Sequence, residues 1–239
     1  MILMEFINYA HRGASSYAPE NTFAAFYLGW QMGANGIETD VQSTKDGVLV
    51  LFHDDDLKRL AGIDQKICDI SYEELCMIDV GVHKGEQYKG ERVPTLAEFL
   101  HHFSGKNLHL ALEIKEAGIE QQVLDMVMPA WPHDHLIVTS FIWDALLAVR
   151  QIASEIRTGF LTRNQDENTL KTLKENGIWQ YCPDGHTVTE ETIKKFRDAG
   201  LSIRAWGVTD ETIMSRMLVF GVDGMTVNFP DKLQKALNK

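Results

Sequence analysis

The first quarter of the chain contains residues that could hold a metal ion and act on a phosphate ester. His11 and Arg12 come first, Glu38 and Asp40 follow two residues apart, and His53 comes after them. In an extended strand alternate side chains point to one face, so Glu38 and Asp40 lie side by side. Neighbouring carboxylates repel each other unless a cation lies between them or one keeps its proton. The pair therefore indicates a divalent-metal site.

A third carboxylate strengthens this interpretation. Glu113 lies near the end of another apolar segment and shares a face with Lys115. Each residue alone would fit a solvent-facing strand or a hydrogen-bonded loop, but both carboxylate-bearing segments read as strands buried on both faces, where an unpaired charge is costly. Three carboxylates are the hard ligands that Mg²⁺ or Ca²⁺ prefers. We expect Glu38, Asp40 and Glu113 to bind the metal, with Arg12 and Lys115 supplying positive charge for a phosphate.

Eight apolar segments alternate with helical patterns along the chain. The strands are predicted at 6–10, 36–41, 108–114, 136–140, 157–161, 178–182, 202–207 and 224–228. The helices are predicted at 22–32, 96–103, 119–128, 143–153, 166–176, 190–199, 211–220 and 232–237. Such alternation predicts an α/β fold of the (β/α)8 TIM-barrel type, forming a single domain over residues 1–239. Every candidate site residue then lies at the carboxyl end of a strand, where barrel enzymes have their active sites.

One stretch interrupts the alternation. The turn Lys45-Asp46-Gly47 is followed by a short apolar segment at 48–53. So short a connection cannot cross over to a parallel neighbour, so we expect an antiparallel arm that returns His53 toward Glu38 and Asp40. Residues 54–94 contain a predicted short helix at 71–78 followed by glycines among charged residues. They are predicted to form a small inserted subdomain or lid within the second βα loop.

Composition limits the partners and the location. The 239 residues carry a formal net charge of −11, which disfavours a nucleic-acid partner. No apolar run approaches the roughly 20 residues of a membrane span, so no stable membrane insertion is expected. The three cysteines lack a C-x-x-C spacing and are interpreted as reduced thiols. We expect a cytoplasmic protein that acts on a small molecule, and a homodimer is compatible with the sequence.

The motifs, in this order, resemble those of the glycerophosphodiester phosphodiesterases. The matching segments are His11-Arg12-Gly13, Pro19-Glu20-Asn21-Thr22, residues 36–41, Lys45-Asp46-Gly47, His53-Asp54, Glu113-Ile114-Lys115, Trp206 and residues 221–224. The resemblance implies metal-dependent hydrolysis of glycerophosphodiesters, such as glycerophosphocholine or glycerophosphoethanolamine, to sn-glycerol 3-phosphate and an alcohol. It implies His11 as general base and His53 as general acid. The base could act on water or on the glycerol 2-hydroxyl, which would give a cyclic phosphate.

Other residues have weaker assignments. The resemblance makes Trp206 a wall for the glycerol carbons and Phe141 a weaker one, although aromatic residues at strand ends are more often core residues. Asn21 or Thr22 could cap the first helix, and the resemblance gives Asn21 a site-organising role as an alternative to the cap. Gly207-Val208-Thr209 and Asn228-Phe229-Pro230 depart from common family patterns and are expected to shape the rim, not the metal site. Seven further histidines are expected at the surface: His83, His101, His102, His109, His133, His135 and His186.

Two alternatives remain open at this point. One is a phospholipase D-like barrel acting on lysophospholipids, which would share two histidines and a carboxylate cluster. It is disfavoured because the chain has no amphipathic helix with a basic face that would bind a lipid surface. The other is a non-catalytic barrel that binds a phosphate ligand. A silent barrel should lack an acid, a base or a metal ligand, whereas this chain has all five.

Overall fold

The strands of the computed structural model, which describes residues 5–238, form one sheet. They are Ile7–His11 (β1), Gly36–Ser43 (β2), Leu49–Leu51 (β3), His109–Ile114 (β4), Leu136–Ser140 (β5), Arg157–Thr162 (β6), Gln180–Pro183 (β7), Ser202–Val208 (β8) and Gly224–Val227 (β9). All except β3 run parallel, and they close a barrel because β1 pairs with β2 on one side and β9 on the other. The predicted TIM barrel is confirmed. Residues 1–4 and 239 of the domain predicted over 1–239 lie outside the described residues.

The described part of the chain has ten α-helices: the two short ones at 58–61 and 72–75 belong to the inserted segment, and the other eight cover the outside of the barrel. The helices are Phe23–Gln31 (α1), Lys58–Ala61 (α2), Tyr72–Leu75 (α3), Leu96–Phe103 (α4), Glu120–Val127 (α5), Trp143–Ile152 (α6), Glu167–Glu175 (α7), Glu190–Asp198 (α8), Glu211–Phe220 (α9) and Pro230–Leu237 (α10). Across residues 5–238 the structure contains no helix long and apolar enough to cross a membrane.

The two faces of each strand differ in character. On β2, Ile37 and Val41 point outward and belong to a large hydrophobic cluster that includes Phe99 of α4. Glu38 and Asp40 alternate with them and therefore point into the barrel. The same alternation applies to β4, where Leu112 and Ile114 join the outer cluster while Glu113 points inward. Outward apolar packing thus fixes the register that brings acidic side chains inside.

The antiparallel arm predicted after β2 is present as β3. Val41 pairs with Leu51 and Ser43 with Leu49, while residues 36–38 of β2 pair with β1. The upper part of β2 therefore leaves β1 and carries β3 at the barrel mouth.

The segment 54–94 has a small hydrophobic core of its own. Leu57, Ile67 and Leu75 are buried together with Val50 and Phe52 from the β3 arm. The helix predicted at 71–78 is shorter in the structure. A capping box formed by Ser71 and Glu74 marks the start of α3, and this helix ends at residue 75. The glycines and charges of the segment do not reveal this packing, because the buried residues follow no regular period.

Two of the seven histidines expected at the surface are partly buried. His109 begins β4, and its ring stacks on that of His135 with centroids 4.1 Å apart. Burial, followed by the charge of His135, lowers the pKa of His109 to about 4. This pair lies at the amino-terminal end of the barrel, away from the acidic residues. The surface expectation was wrong for these two histidines. The start of β4, with His109, and the turn before β5, with His135, lie next to each other at the amino-terminal end of the barrel.

Candidate active site

The three carboxylates predicted as metal ligands lie together inside the barrel. Glu38, Asp40 and Glu113 each place an oxygen within 4.8 Å of the others. Strand register causes this, since Asp40 pairs with Glu113 across β2 and β4. All three are buried, and Oδ1 of Asp40 has no hydrogen-bond partner among the described residues. A buried anionic oxygen without a partner is costly, so this acidic triad fits a hard divalent cation.

The electrostatics of the acidic triad also favour a cation. Burial, then the charges of Asp40 and Glu113, raise the pKa of Glu38 well above its usual value. Burial and Asp40 raise the pKa of Glu113 to about 7, although Lys115 opposes this shift. Burial pushes the pKa of Asp40 up as well, but Arg12 and other positive neighbours outweigh it and the net shift is downward. Without a metal, the triad therefore keeps protons that a cation would displace.

His11 lies at the end of β1 between Glu38 and Asn228. Its Nδ1 is 2.5 Å from Oδ1 of Asn228, and its Nε2 is 3.9 Å from Oε2 of Glu38. Because an amide oxygen only accepts hydrogen bonds, we assign the proton to Nδ1, which leaves a lone pair on Nε2 beside the triad. Burial, then the charge of Arg12, lower the pKa of His11 to about 3. A neutral imidazole in this position can accept a proton.

His53 follows β3 and has a different partner. The backbone amide of Phe52 donates to the carbonyl of Asp40 at 3.1 Å, which places His53 near the acidic triad. Nδ1 of His53 is 2.7 Å from Oδ1 of Asp54. Burial lowers the pKa of His53, while Asp40 and Asp54 oppose the shift. A carboxylate partner stabilises an imidazolium more strongly than the amide oxygen of Asn228 does, so the two histidines are not equivalent.

Arg12 and Lys115 provide positive charge at the same site. Nε of Arg12 is 3.3 Å from Oδ2 of Asp40, and Nζ of Lys115 is 2.8 Å from Oε1 of Glu113. Arg12 has a left-handed backbone with φ 55°. Such a conformation costs a non-glycine residue about 1 kcal/mol or more and is often found at functional sites. The two cations are positioned to neutralise a phosphate next to the triad.

Asn21 holds the side chain of Asp40 by a hydrogen bond and does not cap the helix. Thr22 is the N-cap of α1, because its hydroxyl accepts from the amide of Ala25. Asn21 adopts φ 53°, donates from Nδ2 to Oδ2 of Asp40 at 2.9 Å and accepts from the hydroxyl of Thr39 at 2.8 Å. The interpretation of Asn21 as a cap is therefore wrong, and its carboxamide instead fixes the orientation of Asp40.

Two aromatic rings lie together at the barrel mouth. Trp206 of β8 and Phe141, which follows β5, meet edge to face with centroids 5.1 Å apart. The guanidinium of Arg163 lies 4.8 Å from the Trp206 ring, and Nε1 of Trp206 donates to the carbonyl of Cys182. Phe141 is exposed, so the pair offers an apolar surface to a ligand. Both aromatic residues thus lie at the carboxyl ends of strands, at positions that alternate onto the inner face of the barrel.

Three residues of this region were missed or misplaced by sequence reasoning. Asn228 was assigned to the rim, but it contacts His11 because it continues the inner face of β9 after Thr226. Arg204 is fully buried inside the barrel and donates to Gln180 and Thr226. Arg59 donates to the carboxylate of Asp54 in its own segment and to that of Glu20, which lies before β2. For Arg204 the sequence contained a usable pattern: it lies two residues before Trp206 on β8, so alternation places both side chains on the same face of the strand.

Comparison with known proteins identifies the family. Residues 11–232 match the model of the glycerophosphoryl diester phosphodiesterase family. A glycerophosphodiester phosphodiesterase from Caldanaerobacter subterraneus is 31% identical over 235 residues, covering 96% of this chain and 97% of that protein. Another from Bacillus altitudinis is 32% identical over 238 residues, covering 95% and 96%.

Solved structures agree with the sequence relatives. A phosphodiesterase from Oleispira antarctica, in complex with the product sn-glycerol-3-phosphate, superposes with a TM-score of 0.90 at 30% identity, covering 97% of this chain and 96% of that one. A glycerophosphodiester phosphodiesterase from Agrobacterium tumefaciens superposes with a TM-score of 0.84 at 26% identity, covering 95% and 98%. Both matches extend over the barrel and the inserted segment together. The chain therefore belongs to the glycerophosphoryl diester phosphodiesterase family and is a phosphoric diester hydrolase.

Proposed function

We propose that this enzyme hydrolyses small glycerophosphodiesters to sn-glycerol 3-phosphate and an alcohol. The observation that carries the proposal is the grouping of two differently paired imidazoles, a buried acidic triad and two cations at one end of the barrel. The product complex of the Oleispira relative supports the glycerol phosphate half of the substrate.

Charge neutralisation is the main requirement of this reaction. A phosphodiester anion repels an attacking oxygen, and negative charge grows on its oxygens in the transition state. Arg12 and Lys115 would bind these oxygens and offset the charge. A Mg²⁺ or Ca²⁺ ion held by Glu38, Asp40 and Glu113 would supply Lewis acidity at the same place.

The hydrogen-bond partners of the histidines support different roles. Burial and the charge of Arg12 favour the neutral form of His11, and the amide oxygen of Asn228 keeps its proton on Nδ1, so His11 would take the proton of the attacking hydroxyl at Nε2. His53 has the carboxylate of Asp54, which stabilises the imidazolium, so it would give a proton to the leaving alkoxide. The nucleophile that His11 deprotonates would be water, which gives sn-glycerol 3-phosphate directly, or the glycerol 2-hydroxyl, which gives a cyclic phosphate that a water molecule must then open to sn-glycerol 3-phosphate.

The aromatic pair would bind the non-reacting part of the substrate. Trp206 and Phe141 offer an apolar surface that suits glycerol carbons, and Arg163 next to Trp206 makes the rim polar. This polar rim is poorly suited to the acyl chain of a lysophospholipid. Small water-soluble diesters are therefore the expected substrates.

The proposal is tested by a substrate panel. Purified protein with Mg²⁺ or Ca²⁺ is incubated with glycerophosphocholine, glycerophosphoethanolamine and a lysophosphatidylcholine. Released sn-glycerol 3-phosphate is measured enzymatically for the two small diesters, and released choline is measured for the lysolipid, whose other product is lysophosphatidic acid. We expect release from the two small diesters and much slower cleavage of the lysolipid. The Glu113→Gln variant serves as a control for contaminating phosphodiesterases. Cleavage of the lysolipid alone, or no difference between wild type and Glu113→Gln, would contradict the proposal.

A further inference from the structure

Arg59 connects two parts of the active site that come from distant segments. It lies in α2, within the inserted segment, and its Nε donates to Oδ2 of Asp54 at 2.6 Å. Its two terminal nitrogens donate to the two oxygens of Glu20, each at 2.7 Å. The planar guanidinium thus uses one edge for a bidentate pair with Glu20 and its remaining N–H for Asp54.

The first connection leads to His53. Asp54 divides its carboxylate between two partners, with Oδ1 at 2.7 Å from Nδ1 of His53 and Oδ2 bound by Arg59. Since both oxygens are held, the carboxylate cannot rotate away from the imidazole. Arg59 therefore fixes the group that selects the tautomer of His53.

The second connection leads to Arg12. Oε1 of Glu20 accepts from Nη1 of Arg12 at 2.7 Å as well as from Arg59. Burial raises the pKa of Glu20, but Arg59 and Arg12 outweigh it and lower the pKa to about 2. Glu20 therefore stays anionic and holds Arg12, whose Nε lies 3.3 Å from Asp40.

We propose that Arg59 is a positioning residue that orients His53 through Asp54 and Arg12 through Glu20, and so couples the inserted segment to the reaction centre. The inference rests on the roles proposed above for His53 and Arg12. The side chain of Arg59 is 47% exposed. Ion pairs at such exposure contribute little to stability because solvent screens them, so the main effect of Arg59 is to orient its partners rather than to stabilise the fold.

The neighbouring Lys58 provides a matched control. It lies in the same short helix, is 69% exposed and reaches only Asp64 at 4.0 Å. Lys58→Met removes a charge from α2 without affecting Asp54 or Glu20. Arg59→Met removes both connections, and Arg59→Lys keeps the charge but loses the planar fork.

The test separates the two connections by different measurements, all with Mg²⁺ present. For Arg59→Met we expect kcat/KM for glycerophosphocholine to fall by about 10-fold or more, and by clearly less for a p-nitrophenyl ester of glycerol phosphate, whose leaving group needs no acid. Binding of inorganic phosphate, measured by calorimetry, should weaken several-fold through the Arg12 connection. The kcat/KM and the phosphate affinity of Arg59→Lys should lie between those of Arg59→Met and wild type. Both quantities should be the same in Lys58→Met as in wild type.

A combined variant tests whether Arg59 acts through its two carboxylate partners. Adding Arg59→Met to a Glu20→Gln/Asp54→Asn background should cause little further loss, because the groups it positions are already released. Full additivity, or Arg59→Met equal to wild type in turnover and phosphate binding, would overturn the inference. A wild type without diesterase activity would instead contradict the proposed function, and phosphate binding would then decide the inference alone.

Discussion

Asn228 contacts His11 with its amide oxygen, at 2.5 Å from Nδ1 of the imidazole. The two residues are 217 positions apart and meet because β9 closes the barrel against β1. This contact gives one catalytic candidate a neutral partner, whereas His53 has the carboxylate of Asp54. The difference in partner leads directly to a testable difference in pH dependence.

Replacing Asn228 by Asp should move the acidic limb of the pH profile. A carboxylate beside His11 would raise the pKa of this histidine, which in the wild type is held at about 3 by burial and then by Arg12. Since the base must be neutral, activity should be lost at a higher pH on the acidic side. The shift of the acidic limb is measured from profiles of kcat/KM between pH 4 and 9 for wild type, Asn228→Asp and the control variant Asn228→Ala. An unchanged acidic limb in Asn228→Asp would show that His11 is not the base.

Replacing Asn21 by Gly should weaken metal binding. The carboxamide fixes Asp40, and glycine accepts the φ of 53° without strain. Loss of such a supporting hydrogen bond typically costs about 10- to 100-fold in metal affinity. Thr22→Ala is the matched control, since it removes the helix cap and a hydrogen bond to the carbonyl of Pro19 without touching Asp40, and it should cost about 1 kcal/mol of stability. Calorimetric titration with Ca²⁺ checks both variants. Equal affinity in Asn21→Gly and wild type would exclude an organising role.

Changing either histidine to Ala should slow turnover of glycerophosphocholine by about 100-fold or more, the usual effect of losing a general acid or base. The two variants should respond differently to the leaving group. His53→Ala should recover most of its activity on a p-nitrophenyl ester, because nitrophenolate leaves without protonation. His11→Ala should remain slow on both. Equal losses on both substrates would mean that the acid and base roles are wrongly assigned.

Metal affinity should depend on pH near neutrality. Burial and the charge of Asp40 raise the pKa of Glu113 to about 7, so the metal-free protein is protonated there below pH 7. Binding must expel this proton and any proton on Glu38, whose pKa is also raised, so affinity should rise with pH by up to about 10-fold per pH unit for each proton expelled. Titrations with Mg²⁺ at pH 6, 7 and 8 in two buffers of different ionisation enthalpy report the proton release. Affinity that is constant over this range would contradict a protonated Glu113.

Local patterns were sufficient to predict the barrel and the grouping of the acidic triad. Outward residues such as Ile37 and Leu112 give the strands an apolar face, and strand alternation then places Glu38, Asp40 and Glu113 inside. The register between β2 and β4 brings the carboxylates together. The alternation of apolar and polar residues along the strands therefore predicts both the barrel and the position of the acidic triad.

Contacts that depend on closure of the barrel or on loop backbone could not be predicted. The role of Asn21 depends on its left-handed backbone, which turns the carboxamide to Asp40 and leaves the cap to Thr22. Asn228 and Arg59 meet partners from distant segments. A local pattern carries no information on such pairs.

The central claim is that the acidic triad holds the metal that permits diester hydrolysis. Its most direct test is release of sn-glycerol 3-phosphate from glycerophosphocholine by protein stripped with a chelator and then titrated with Mg²⁺ or Ca²⁺, for wild type and Glu38→Gln. We predict no release from stripped wild type, full recovery as the ion is added, and little recovery in Glu38→Gln at the same ion concentrations. Undiminished release from stripped wild type, or equal recovery in both proteins, would contradict the claim.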